Sequence, residues 1–240
     1  MFIPIGDEPN PPQRPVMTVA LIAVNVAVYL LISLPLSMRP ADPADPLVAE
    51  FLRSVPQGMP AQQVSVYDLV VFRYGFRVAA PSWIALFTSM FLHAGLLHVL
   101  GNMLYLWIFG NNVEARLGPL WFLFWYLVTG VAALAFHAVF NLGSPVPLVG
   151  ASGAISGVLG FYLVWFPRNV VKIWVFLFPF YIGVVRWGAI WVLGIYLLLD
   201  NLLPFLIAPT ASGVAHGAHI GGFVAGMAAA WTMRGRARSQ

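Results

Sequence analysis

LGPLWFLFWYLVTGVAALAFHAVFNLGSPVPLVGASGAISGVLGFYLVWFP, residues 117–167, runs for 51 residues between Arg116 and Arg168 without one Lys, Arg, Asp or Glu. A bilayer-crossing helix needs about 20 mostly apolar residues, so this field is long enough for two. Asn141-Leu142-Gly143-Ser144-Pro145-Val146-Pro147 interrupts it with turn-forming residues and divides it into a pair of spans. Three more charge-free fields lie around it, at 15–38, 78–113 and 201–233. The first holds one helix, about Val16 to Leu36, entered just after Pro15. The second opens with an extended Val78–Ser82 stretch and continues as one helix to Val113. The last opens with Leu202-Leu203-Pro204 and a loop over Pro209–Gly213, then runs as one helix to Met233. Arg186 divides the remaining segment. Trp187–Leu199 extends through Asp200 and Asn201 to Leu203 and spans. Ile173–Val185, with Pro179 inside it, would be roughly 20 Å long as a helix, short of a hydrocarbon core of about 30 Å. An interfacial or re-entrant segment is expected there. The count is six spans.

Composition agrees. The 240 residues include 12 Lys and Arg, 8 Asp and Glu, and 60% hydrophobic residues. A soluble domain carries roughly 25% charged residues to keep its surface wet, and 8% cannot do so. Soluble α/β enzymes, nucleic-acid binders and disordered chains are excluded as first readings despite the net charge of +4. The absence of Cys removes disulfides, thiolate nucleophiles and Cys-ligated metals. The fold expected is an all-α polytopic membrane protein, a six-helix bundle over 16–233. A short tail over 1–15 precedes it, a basic tail over 234–240 follows, and a long first loop over 37–82 lies on the outer side. Within that loop Leu47–Val55 and Val66–Phe72 carry apolar residues at helical spacing.

Orientation follows from Lys and Arg in short loops. With the N-terminal tail inside, the inner side collects Arg14, Arg116, Arg168, Lys172, Arg186, Arg234, Arg236 and Arg238. The outer side keeps Arg39, Arg53, Arg73 and Arg77, all in the long first loop, and the outer loops 141–149 and 200–214 contain none. Both termini are therefore expected in the cytoplasm. The Pro-rich, acidic start lacks the basic region of a signal peptide.

Polar residues inside apolar spans are costly, so their depth matters. The second, fourth and sixth spans all descend from the outer face. Near their starts lie His93, His98 and Asn102; Gly150-Ala151-Ser152-Gly153; and His216 and His219. His98 and Asn102 are four apart, one turn on one helix face. A Ser hydroxyl becomes nucleophilic when a neutral imidazole within hydrogen-bond reach takes its proton. The tetrahedral intermediate then needs donors at its oxyanion. Ser152 at a helix N-terminus offers unpaired backbone N–H groups, and His98 and Asn102 offer side-chain donors. Gly153, Gly157 and Gly160 follow the serine, and Gly222 and Gly226 follow His219; such small-xxx-small faces allow the close helix contact that a Ser–His bond requires.

At these residues the chain resembles the rhomboid family of intramembrane serine proteases. His98-xxx-Asn102 within HAGLLHVLGNMLYLW, Gly150-x-Ser152-Gly153 within GASGAISG and Ala218-His219 within AHIGGFVAG match in the family's order, as does Glu114-x-Arg116. The resemblance covers about 16–233. It implies a six-helix fold with Ser152 as nucleophile, His219 as general base and no third acid. It further implies an oxyanion site of His98, Asn102 and the Ser152 backbone N–H. Neither cofactor nor metal is implied, and the partners are the lipid bilayer and transmembrane segments of substrate proteins, entering past the fifth span. A bacterial-type plasma membrane is the expected location. Two features depart from the family pattern. Trp83 is followed by Ile84 where many relatives have Trp-Arg, and Ser156 stands where some carry an aromatic residue that stacks on the catalytic histidine. The support of His219 is thus left unassigned.

Other readings of the same residues remain open at this point. Ser152 suits an N-cap, His98 and Asn102 a buried pair tying helices, and His216 is an alternative to His219. His93 is expected to cap or tie the first loop, and Asp200 near the end of the fifth span is a weaker candidate third member. Glu114 and Arg116 read as an ion pair organising the loop after the second span. No His-Glu-x-x-His motif is present for a zinc protease, and no pair of intramembrane Asp for an aspartyl protease. A catalytically silent relative that binds transmembrane clients is the alternative function; such relatives usually lose Ser or His, and this chain keeps both.

Overall fold

The computed structural model describes residues 2–54, 60–207 and 214–234. Val55, the Pro209–Gly213 loop, Arg236 and Arg238 lie outside the described residues. The elements are β1 (Phe2–Glu8), α2 (Pro46–Ser54), α3 (Val66–Tyr74), α4 (Trp83–Thr88), α5 (Leu96–Leu117), α6 (Pro119–Phe140), α7 (Ser152–Trp165), β2 (Val170–Leu177), β3 (Tyr181–Gly188) and α9 (His216–Thr232). Two longer helices complete the set, α1 over Val16–Ser37 and α8 over Ala189–Ile207. By length and apolar composition α1, α6 and α8 can each cross a membrane. The chain is mostly helical, and it divides into two compact units.

The first unit comprises Met1–Ile22, Asn102–His137 and Ser152–Gln240. Its centre is the meeting of α7 and α9, where backbone touches backbone. A Cβ added at Gly222 would sit 2.1 Å from the Gly153 carbonyl oxygen, one at Gly226 2.0 Å from that of Gly157, and one at Gly160 2.2 Å from that of Phe223. The missing side chains of Gly153 and Gly157 face α6 instead, where a Cβ would meet Ala133 at 2.8 Å and the Thr129 hydroxyl at 2.1 Å. The two glycine pairs therefore have different roles. Those on α9 press on α7 carbonyls, and those on α7 admit α6.

Expectation and structure part at three places. Where an interfacial or re-entrant segment was expected over Ile173–Val185, residues 170–188 form a β-hairpin: Phe180 N–H closes the tip on the Leu177 carbonyl, and β1 adds antiparallel to β2 to make a sheet of order β1-β2-β3. The fold is thus not all-α. Alternation explains the strand, since Val171, Ile173 and Val175 are buried while the intervening side chains are not. Lys172 stands opposite Arg186 in the register, a like-charge pair that costs stability. Glu8 from β1 pairs with both, and its carboxyl is held below its ordinary range chiefly by the hydrogen bond from Lys172. Second, the helix expected from about residue 83 is broken: α4 ends at Thr88 and α5 begins at Leu96, leaving His93 between them. Third, Glu114 and Arg116 do not pair among the described residues. The Glu114 carboxylate, 4% exposed, accepts from the Met17 N–H (2.8 Å), the Thr18 N–H (2.7 Å) and the Thr18 hydroxyl (2.7 Å). It caps the start of α1, where N–H groups lack helical partners and negative charge is favoured. Arg116 lies over the Trp165 ring at 4.4 Å.

Gly118, at φ 80°, ends α5 in the left-handed region, and Pro119 opens α6. Both long apolar helices outside α6 contain one π-helical turn, Tyr29–Ser33 in α1 and Leu198–Leu202 in α8. Pro35 and Pro204 stand two residues beyond the ends of these turns; each lacks a donor and crowds the preceding turn, which widens.

Asp7 fixes β1 to the helices. It is 3% exposed and accepts from Tyr162 Oη and, at 2.7 Å, from Asn112 Nδ2. Burial pushes its carboxyl up to about 6.

The second unit comprises Ala23–Gly101 and Ala138–Ala151. The α2 and α3 helices occur where apolar spacing placed them, around a small core of Ala41, Val48, Phe51, Val64, Leu69 and Phe72. Ser65 and Asp68 form a reciprocal capping box at the start of α3. The Tyr67 hydroxyl donates to the His93 carbonyl (2.8 Å) and accepts from the His93 N–H (3.0 Å), so His93 does tie this region, through its backbone.

Two measurements check this description. Gly226→Ala should destabilise reversible unfolding in mixed dodecyl sulfate micelles by about 2 kcal/mol or more, since overpacking costs about 1–3 kcal/mol and here the obstacle is backbone. Gly194→Ala on α8, where nothing lies within 4 Å, should be neutral or slightly stabilising. For Asp7, a raised carboxyl pKa means stability present at low pH and lost as pH rises through about 6. The stability advantage of Asp7→Asn over the wild type should therefore widen from about pH 4 to pH 6 and then level off. Parallel curves for the two proteins would contradict the buried placement.

Candidate active site

Three elements of the first unit converge on one histidine. Ser152 is the first residue of α7, where N–H groups have no helical acceptor. Gly150 precedes it at φ 125°, a value that suits glycine, and donates its N–H to the Ser89 carbonyl at 2.8 Å within the second unit. A further backbone pairing, Phe76 with Leu148 (2.9 and 2.8 Å), holds the segment that leads into the serine. His219 lies one turn into α9, and its Nε2 is 2.8 Å from Ser152 Oγ. Both side chains are half-buried. His216, the alternative histidine, is on the same helix with its ring centroid 6.4 Å from that of His219.

The remaining sequence candidates distribute as follows. Asn102 belongs to the first unit, is 8% exposed, and its buried Nδ2 has no hydrogen-bond acceptor among the described residues. His98 belongs to the second unit, where its ring meets that of His93 edge-on at 5.1 Å. Gly153, Gly157, Gly222 and Gly226 form the helix contacts given above. Glu114 and Arg116 lie at the far end of α5 from Asn102 and hold α1 and Trp165.

Sequence reasoning missed two residues, both on α8. Asn201 Oδ1 is 2.7 Å from His219 Nδ1. The Tyr196 ring stacks on His219 at 6.4 Å with 29° between planes, and its hydroxyl bonds Ser156 Oγ at 2.7 Å. The aromatic support that Ser156 lacks thus comes from the next helix, and Ser156 holds it. Asp200, the acid weighed as a third member, is exposed, while its neighbour Asn201 is 1% exposed. No local sequence signal separates the two, because the π-helical turn Leu198–Leu202 departs from the 3.6-residue period by which helix faces are read.

A nucleophile, a base on its hydroxyl and an acceptor on the other ring nitrogen form the constellation of acyl transfer. Comparison with known proteins gives the family. A family model, Rhomboid domain, matches residues 80–236. The Bacillus subtilis (strain 168) rhomboid-type protein YdcA is 37% identical over 111 residues, 44% of this chain and 52% of that protein. Rhomboid protease GluP of the same organism is 42% identical over 83 residues, 35% of this chain and 16% of GluP. Rhomboid protein 1, mitochondrial, of Saccharomyces cerevisiae is 31% identical over 163 residues, 62% of this chain and 42% of that protein. The chain spans about half or less of the length of these relatives.

Proposed function

The chain belongs to the rhomboid family, and from that premise we propose that it is an intramembrane serine endopeptidase that cleaves transmembrane segments of other membrane proteins. The observation that carries this reading is the 2.8 Å separation of Ser152 Oγ and His219 Nε2. In it, Ser152 attacks the scissile carbonyl, and the hydroxyl proton passes to His219. The protonated histidine then protonates the leaving amine, and water releases the acyl group by the reverse path. His98, Asn102 and the Ser152 backbone N–H are the oxyanion donors. The unpaired Asn102 amide supports this assignment, because a buried donor without an acceptor costs about 1–3 kcal/mol unless something uses it. The similarity to GluP, a rhomboid protease by name, supports the reaction class.

Six spans follow if α1, α5, α6, α7, α8 and α9 all cross the bilayer, with Arg14, Arg116, Arg168, Lys172, Arg186 and Arg234 on the inner side. Both termini are then cytoplasmic, the site opens toward the outer leaflet, and substrates enter laterally beside α8. A bacterial-type plasma membrane fits this charge asymmetry. Hydrolysis by serine needs no metal or cofactor.

Purified protein in liposomes should cleave a model transmembrane substrate. Ser152→Ala and His219→Ala should each abolish cleavage while unfolding at the wild-type midpoint, and Asn102→Ala should lose about 10²–10³ in kcat, the usual cost of one oxyanion donor. Full activity in Ser152→Ala would remove the assignment.

A further inference from the structure

We infer that Asn201 is a positioning residue for His219, making the site a Ser152–His219–Asn201 relay in which a neutral amide occupies the third place. The inference rests on the proposed protease reading and deepens it.

The direction of every hydrogen bond in the relay is forced from one end. The Tyr196 carbonyl can only accept, and it receives Asn201 Nδ2 at 2.8 Å. With its NH2 group committed there, Asn201 presents Oδ1 to His219 Nδ1 at 2.7 Å. That oxygen can only accept, so Nδ1 carries the imidazole proton. Nε2 is then the lone-pair nitrogen, and it faces Ser152 Oγ at 2.8 Å. An unconstrained imidazole would divide its population between two tautomers, and only one of them can take the serine proton. The backbone of α8 thus selects the reactive tautomer through one side chain.

The π-helical turn is what delivers that side chain. Leu198–Leu202 immediately precedes Leu203-Pro204, and the missing N–H of Pro204 withdraws the donor that would have met the Asp200 carbonyl. The widened turn puts Asn201 inward, 1% exposed, and Asp200 outward. An amide suits this place better than a carboxylate. An ionised acid buried in a bilayer-spanning protein is costly, whereas the amide oxygen supplies the acceptor without a charge. Tyr196 completes the support, its ring stacked on His219 and its hydroxyl held by Ser156.

In the chemical step, the Ser152 oxygen forms a bond to the scissile carbonyl carbon as the carbonyl π pair moves onto its oxygen. The serine proton goes to His219 Nε2. Asn201 accepts no proton; it keeps the Nδ1–H bond as the ring becomes an imidazolium.

The test uses the full chain in liposomes and two readouts, the rate of labelling by a fluorophosphonate and the cleavage of a model transmembrane substrate. Asn201→Ala should slow labelling and lower kcat by roughly 10- to 100-fold, a part of what a positioned base supplies, with KM changed by less than about two-fold. Asn201→Asp restores an acceptor at the same point. It should recover most of the labelling rate and move the acid limb of the pH–rate profile upward, because a carboxylate favours the imidazolium. Tyr196 and His216, whose rings meet that of His219, and Asp200, next to position 201 in the chain, are unchanged in both variants, so the shift belongs to position 201. A role confined to folding would move neither the profile nor the recovery. Wild-type labelling in Asn201→Ala, or an unshifted profile without recovery in Asn201→Asp, overturns the relay. Ser152→Ala separates the two levels: persistent labelling there defeats the protease reading itself, and silence there with indifferent Asn201 variants defeats the relay alone.

Discussion

The close contact of α7 with α9 is the constraint on which the first unit depends. Between apolar helices in lipid there is no hydrophobic drive to associate, so packing and hydrogen bonds must hold them. Here packing means glycine against carbonyl, with about 2 Å between a missing Cβ and the Gly153, Gly157 and Phe223 oxygens. Helices with ordinary side chains between them lie 8–10 Å apart, and a serine on one would not meet a histidine on the other across 2.8 Å. The seam also fixes register. A slip of one residue moves a helix by about 1.5 Å along its axis, enough to break the Ser152–His219 bond.

Several of the chain's few charges have a defined partner among the described residues of the first unit. Glu114 takes the unpaired N–H groups of α1, Arg116 covers Trp165, and Asp7 joins Asn112 and Tyr162. Glu8 separates two cations that the strand register would otherwise set against each other. None of these contacts touches the serine. Together they fix the ends of α1, α5 and α7, and so leave α8 as the long helix whose link to the site is a handful of polar atoms.

The extents of α1, α6 and α8 were legible because the absence of charge over some 20 residues is a strong, local signal. The pairing of Ser152 with His219 was legible for a different reason, since each motif carries its own glycines at helical spacing. The hairpin was not. Its length, Arg186 and Pro179 mark its 19 residues only as too short to span, although Val, Ile and aromatic residues on either side of a central Pro179 also suit two strands. Its third strand lay far off in the sequence and contains Pro4 and Gly6, which weaken any strand signal. The break at His93 and the inward turn of Asn201 were illegible on tertiary grounds: one is set by Tyr67 and the Ser89 carbonyl, the other by a turn that departs from the 3.6-residue period on which face assignments rest.

The sheet has a temporal consequence. β1 is made well before β2, its strand partner among the described residues, which follows α7 in the chain. At about 5–20 residues per second, β1 waits on the order of ten seconds or more, while α1, α5, α6 and α7 are made, before β2 can receive it. During that interval Pro4 and Gly6 are an advantage, since they discourage pairing with a wrong edge. The sheet therefore closes only after most of the chain has been made, and Asp7 reaches Tyr162 late in synthesis rather than early.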